Sequence, residues 1–75
     1  MSAKLPVLKP GEVISALEKV GFSVKRQTGS HTVLFKPGIP RPITVPVHTG
    51  DVPTGTLRAI IRQSNLTIDE FVDLL

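Results

Sequence analysis

Apolar residues recur at helical spacing in the first third of the chain. Val13 and Leu17 lie four positions apart and so fall on the same side of a helix. Pro10 suits the first helical position, where a missing N–H costs nothing, and Gly21 suits a left-handed helix end. The pattern therefore predicts a first helix over about residues 10–20.

Two segments that alternate in polarity follow this helix and predict a β-hairpin. They cover residues 22–27 and 30–36. We expect Thr28 and Gly29 to form a two-residue loop in which Gly29 supplies a positive φ. The expected cross-strand pairs are Phe22 with Phe35, Val24 with Val33, and Arg26 with His31, all on the face that carries the core. A type I turn with a bulge is the alternative, and a one-residue slip would turn one strand over.

A third strand is indicated by the alternation of Ile43, Val45 and Val47. Pro46 within it cannot donate a hydrogen bond, which favours an edge position in the sheet. A three-stranded meander meets this requirement because it leaves the second strand, with His31, in the middle.

The last third of the chain predicts a short helix and a smaller closing helix. Leu57, Ile60 and Ile61 form the apolar stripe of the first, and Thr67 with Glu70 forms a capping box for the second. The expected fold class is α+β. It is one α-β-β-β-α domain over residues 1–75, with a three-stranded antiparallel sheet and a short C-terminal helix.

Charge is concentrated in the middle of the chain. The net charge is +3, but residues 19–62 alone carry +6, from seven basic residues and one acid. A basic region of this size is compatible with RNA or DNA as partner, and the alternative is an ordinary solvated surface. The absence of cysteine excludes disulfides and thiolate chemistry, and no long apolar run suggests a membrane span. We expect a cytoplasmic protein.

His31 is the leading catalytic candidate because it stands where a glycine turn enters the central strand. RNA carries its own nucleophile, the 2′-OH, so a nuclease needs a proton acceptor beside it, and histidine exchanges protons near neutral pH. The alternative is a turn histidine that only makes a local hydrogen bond. His48 is open between a catalytic acid and a structural residue, and we favour the second. Two histidines and Asp51 have no metal-ligand spacing, so we expect neither a metal nor another cofactor.

An RNA partner would be contacted by side chains around this histidine and by more distant basic residues. The candidates are Arg26, Ser30, Lys25, Lys36, Arg41, Arg58 and Arg62. The alternative for each basic residue is a solvated surface position. All three phenylalanines fit core positions, which leaves no platform for base stacking. Recognition would then use the RNA backbone, the 2′-OH and the A-form shape.

Three motifs occur together in this order: Gly29-Ser30-His31, Val45-Pro46-Val47-His48, and the segment from Gly55 to Arg62. In this order and spacing the chain resembles the HicA (YcfA-like) mRNA interferase toxins, from about Leu8 onward. The resemblance implies a double-stranded-RNA-binding-domain-like fold and an endoribonuclease that cleaves mRNA with the histidine at position 31. It also implies a HicB-type antitoxin that covers the active face. A non-catalytic double-stranded RNA-binding module and a plain protein-interaction domain are the alternatives.

Overall fold

A layer of helices covers one face of a three-stranded antiparallel sheet. The computed structural model describes residues 5–47 and 50–75. The elements are α1 (Pro10–Lys19), β1 (Ser23–Gln27), β2 (His31–Phe35), β3 (Ile43–Pro46), α2 (Thr54–Gln63) and α3 (Ile68–Val72). The strand order is β1-β2-β3, so β2 is central and β3 is an edge strand. The predicted α+β fold class and element order are confirmed.

Helix α1 begins and ends where its sequence indicates. The backbone N–H of Lys9 donates to Glu12 Oε1 at 2.9 Å and so ties the first turn. At the other end Gly21 has φ +103°, and the N–H of Phe22 donates to the carbonyl of Leu17 at 3.2 Å. This left-handed termination redirects the chain into β1 and buries the Phe22 side chain.

The register of the hairpin differs from the expected one. Val24 pairs with Leu34, and Arg26 pairs with Val33 rather than with His31. A bulge at Lys25 separates these two pairs. The remaining pairs are Ser23 with Phe35 and Gln27 with Thr32. The N–H of Thr28 donates to the carbonyl of His31 at 2.8 Å, so the two-residue loop is Gly29-Ser30 and not Thr28-Gly29.

The conformation expected of Gly29 is also wrong. The described glycines with positive φ are Gly21, Gly38 and Gly50. A Cβ added at Gly29 would meet no heavy atom within 4 Å. The turn therefore does not depend on glycine at this position for either its backbone conformation or its packing.

The core lies on the opposite face of β2 from the one expected. Thr32 and Leu34 are buried, whereas Val33 is half-buried and His31 and Phe35 are exposed. The shared face of His31, Val33 and Phe35 is confirmed, but it is the face that the helices leave uncovered. Phe35, which we expected in the core, is 37% exposed.

Strand β3 and the C-terminal helices complete the core as predicted. Ile43 and Val45 are fully buried and pair with Leu34 and Thr32. Both α1 and α2 pack against β3. The predicted stripe of α2 is buried, with Leu57, Ile60 and Ile61 each 2% exposed or less.

The short helix α3 closes the core through its predicted capping box. The N–H of Glu70 donates to Thr67 Oγ1 at 3.1 Å, and the N–H of Thr67 donates to Glu70 Oε1 at 2.8 Å. The helix buries Phe71 completely. This five-residue helix thus adds one large apolar side chain to the core.

Candidate active site

The uncovered side of the sheet carries residues from all three strands, and we call it the open face. Its members are Ser23, Lys25 and Arg26 of β1, His31, Val33 and Phe35 of β2, and Thr44 and Pro46 of β3. Residues paired across antiparallel strands share a face, and this rule places Arg26 beside Val33 and Pro46 beside His31. The open face therefore combines an imidazole, two cations and exposed apolar surface.

The backbone at His31 and Ser30 is held by hydrogen bonds from both sides of the strand. On the β1 side, its N–H donates to Thr28 Oγ1 at 3.0 Å and its carbonyl accepts from the N–H of Thr28 at 2.8 Å. On the β3 side, the N–H of Val47 donates to the carbonyl of Ser30 at 2.8 Å. These bonds hold the first residue of the central strand in place, although it lies at the end of a loop.

The imidazole of His31 is exposed and is oriented by its neighbour. Ser30 Oγ lies 2.9 Å from His31 Nδ1. In one tautomer Nδ1–H donates to the serine and Nε2 carries the lone pair, whereas in the other the serine donates to Nδ1 and Nε2 carries the hydrogen. Both arrangements place Ser30 on the Nδ1 side of the ring.

Arg26 is on the open face with His31 but not directly opposite it. Its partner is Val33, two residues along β2 from the histidine. Diagonal neighbours of this kind lie ~7–8 Å apart, a distance that a long arginine side chain spans. Arg26 is thus a diagonal neighbour of the imidazole, within reach of an anion held there.

Lys25 and Lys36 lie towards the far end of β2. Lys25 Nζ is 5.2 Å from the centroid of the Phe35 ring, and Lys36 Nζ is 5.7 Å from that of Phe22. Phe35 is four residues from His31, which at ~3.3 Å per residue is about 13 Å. The structure does not gather these lysines around the imidazole.

Arg58 and Arg62 belong to the helix layer. Both are exposed on α2, one turn apart, on the side away from the buried stripe. Arg41 is exposed in the connection between β2 and β3. His48 lies outside the described residues. Of the predicted site residues, the structure therefore places Ser30 and Arg26 nearest to His31.

The segment that forms the sheet has an uninterrupted positive character. Residues 22–47 contain Lys25, Arg26, Lys36 and Arg41 and no acidic residue. Within the described ranges, no three histidine or carboxylate side chains cluster as metal ligands would. The open face thus carries the cations Lys25 and Arg26 and no acidic residue.

Two further features concern the rest of the described chain. A cavity of about 550 Å³ lies between α1 and the C-terminal residues, and its lining includes Ser15, Lys19 and Leu75 but no residue of the open face. No helix in the described residues combines the length and the apolar character that crossing a bilayer requires.

Comparison with known proteins gives one family. A family model for the HicA toxin of bacterial toxin–antitoxin systems matches residues 11–66, which is 56 of the 75 residues. Among curated proteins, none matches the sequence significantly. The matched region includes all of α1 except Pro10, the whole sheet with His31, and α2. The chain therefore belongs to the HicA family of bacterial toxins.

Proposed function

We propose that this toxin is a metal-independent endoribonuclease that cleaves mRNA, with His31 as its general acid–base residue. The observation that supports this most strongly is the position of His31. Its side chain is exposed on the open face, and its backbone N–H and carbonyl are both hydrogen-bonded to Thr28. The family supports the toxin role and implies an antitoxin partner.

The chemistry needs one proton acceptor and a site for phosphate charge. In the proposed step, neutral His31 takes the proton from a ribose 2′-OH, and the 2′-oxygen attacks the adjacent phosphorus. The bond from phosphorus to the 5′-oxygen breaks, and this leaving oxygen takes a proton from water. No metal is required, because RNA supplies the nucleophile and the protein supplies the base.

Arg26 is suited to the phosphate. Charge accumulates on the non-bridging oxygens as the 2′-oxygen attacks, and a guanidinium can donate two hydrogen bonds to them. Its diagonal position relative to His31 supports this role, because a long arginine side chain spans the distance between diagonal neighbours. Ser30 contributes by orienting the imidazole through Nδ1.

The test compares wild type with His31→Ala on labelled single-stranded RNA in the presence of EDTA. We expect the variant to lose ~10²–10⁴ of the cleavage rate, the usual contribution of a positioned acid–base group. The exposed Gln63→Ala on α2 is the matched control and should cleave like wild type. Growth arrest on expression should follow the same order. Equal cleavage by wild type and His31→Ala would refute the catalytic role.

A non-catalytic double-stranded RNA-binding module gives a different result in the same experiment. It predicts duplex binding with a steep salt dependence, no cleavage by any variant, and little effect of His31→Ala on binding. The basic sheet segment suits either function, so cleavage itself is the decisive readout.

A further inference from the structure

Phe35 is the feature of the open face that the fold does not explain. It is a large aromatic residue with 37% of its surface exposed on a central strand, where most such side chains are buried. Its neighbour on the same face, Val33, is half-buried. The helices pack on the other side of the sheet, so the fold covers none of this surface completely.

The chemistry around the ring indicates what it binds. Lys25 Nζ lies 5.2 Å from the ring centroid, and Arg26 is the next residue on the same strand. The sheet segment holds no acid to neutralise these cations. An exposed aromatic ring beside a cation complements a nucleic-acid base attached to a phosphate, since the ring stacks on the base and the cation contacts the phosphate.

We propose that Phe35 forms a base-stacking subsite for single-stranded RNA, with Lys25 contacting the phosphate next to the stacked base. The lysine covers the ring in the unliganded protein and moves to the phosphate on binding. The subsite lies about 13 Å from His31 along β2, a distance that a short run of extended nucleotides covers. This inference rests on the proposed function, which identifies the ligand as RNA. It adds the place on the protein that holds an unpaired base.

This subsite changes the expected substrate class. The sequence led us to expect recognition of duplex shape without stacking, because Phe35 was assigned to the core. A base within a duplex is already paired and stacked, so the ring can accept a base only from a single strand. The open face therefore favours unpaired RNA over duplex RNA.

The experiment measures binding without cleavage. All proteins carry His31→Ala, and the probes are a labelled single-stranded oligoadenylate, the same ribose–phosphate chain without bases, and a duplex. Fluorescence anisotropy at low salt gives the Kd for each. Phe35→Ala is compared with Phe35→Tyr, which keeps an aromatic face, and with Leu75→Ala, a matched loss of an exposed apolar side chain on another surface.

We expect Phe35→Ala to weaken binding of the oligoadenylate ~5-fold or more, on the scale of one base–aromatic stack. Phe35→Tyr and Leu75→Ala should bind like the parent. Phe35→Ala should not affect the base-free chain, because that probe has nothing to stack. Lys25→Gln should weaken binding of both single-stranded probes and lower the salt dependence by about one phosphate contact.

Two results would overturn the subsite: unchanged oligoadenylate binding by Phe35→Ala, or an equal loss with the base-free chain. Unchanged RNA binding together with weaker binding of an antitoxin protein would assign the ring to that interface instead. The thermal unfolding of each variant confirms that the fold is intact. RNA cleavage is measured separately with protein that retains His31. A result that refutes the nuclease activity can therefore be told apart from one that refutes the base-stacking subsite.

Discussion

Thr32 places a polar side chain on the core face of β2. Its side chain is 1% exposed, and its Oγ1 has no hydrogen-bond partner in the described part of the chain. A buried hydroxyl without a partner costs ~1–3 kcal/mol relative to a satisfied one. Thr32→Val keeps the branched shape, removes this polar atom and replaces it with a buried methyl group. We expect the free energy of unfolding to rise by at least ~1 kcal/mol.

Urea denaturation followed by circular dichroism measures this change. A gain of 1 kcal/mol corresponds to a rise in Tm of ~4–8 °C for a domain of this size. Thr44→Val is the matched control, since Thr44 is exposed on the neighbouring strand and its hydroxyl is solvated. We expect that control to stay within about 0.5 kcal/mol of wild type. A Thr32→Val variant no more stable than the control would refute a buried Thr32 hydroxyl without a hydrogen-bond partner.

Three further outcomes are expected from other sites. Ser30→Ala should lower the RNA cleavage rate by ~2- to 13-fold, which corresponds to the loss of one hydrogen bond to the imidazole. Ser30→Thr keeps the hydroxyl and should restore much of the rate. Unchanged cleavage by Ser30→Ala would contradict an orienting role. Replacing Arg58 and Arg62 with glutamine should weaken RNA binding at most modestly and leave cleavage at saturating RNA unchanged, and a large loss in that rate would place α2 in the active site. Gly21→Ala should lower the free energy of unfolding by ~1 kcal/mol or more, because this position has a φ of +103°. Gly29→Ala should keep a free energy of unfolding within about 0.5 kcal/mol of wild type, because the added Cβ meets no neighbour. Urea denaturation measures both values.

The element order could be predicted from the sequence because each boundary has a local chemical cause. Gly21 ends α1, Pro46 restricts β3 to an edge, and Thr67 with Glu70 starts α3. These effects act within a few residues of the chain. They are therefore visible without knowledge of the tertiary structure.

The face of β2 could not be predicted in the same way. The run from Thr32 to Phe35 is apolar or β-branched on both sides, so alternation shows which residues share a face but not which face the helices cover. Val33 with Phe35 is the more hydrophobic pair, yet Thr32 with Leu34 is buried. The buried pair is set by β3, because Ile43 and Val45 must face the helices and each lies opposite one of the two.

The register of the hairpin was missed because of the bulge at Lys25. An extra residue in one strand shifts every later pair, and nothing in the composition of Val24-Lys25-Arg26 marks it. As a result Arg26 was placed opposite His31, whereas it lies diagonal to it. The exposure of Phe35 was missed for the related reason that a phenylalanine in an apolar strand is usually buried.

The same bulge has a consequence for how the toxin behaves at high concentration. Every residue of β1 is exposed, and β1 is an edge strand with which another chain could pair. The irregular backbone at Lys25 and the adjacent cationic side chains disfavour pairing of a second strand with this edge. At the opposite edge of the sheet, Pro46 of β3 has no N–H that could donate to another strand. The two edges together oppose fibril-like self-association while leaving the surface between them uncovered for a ligand.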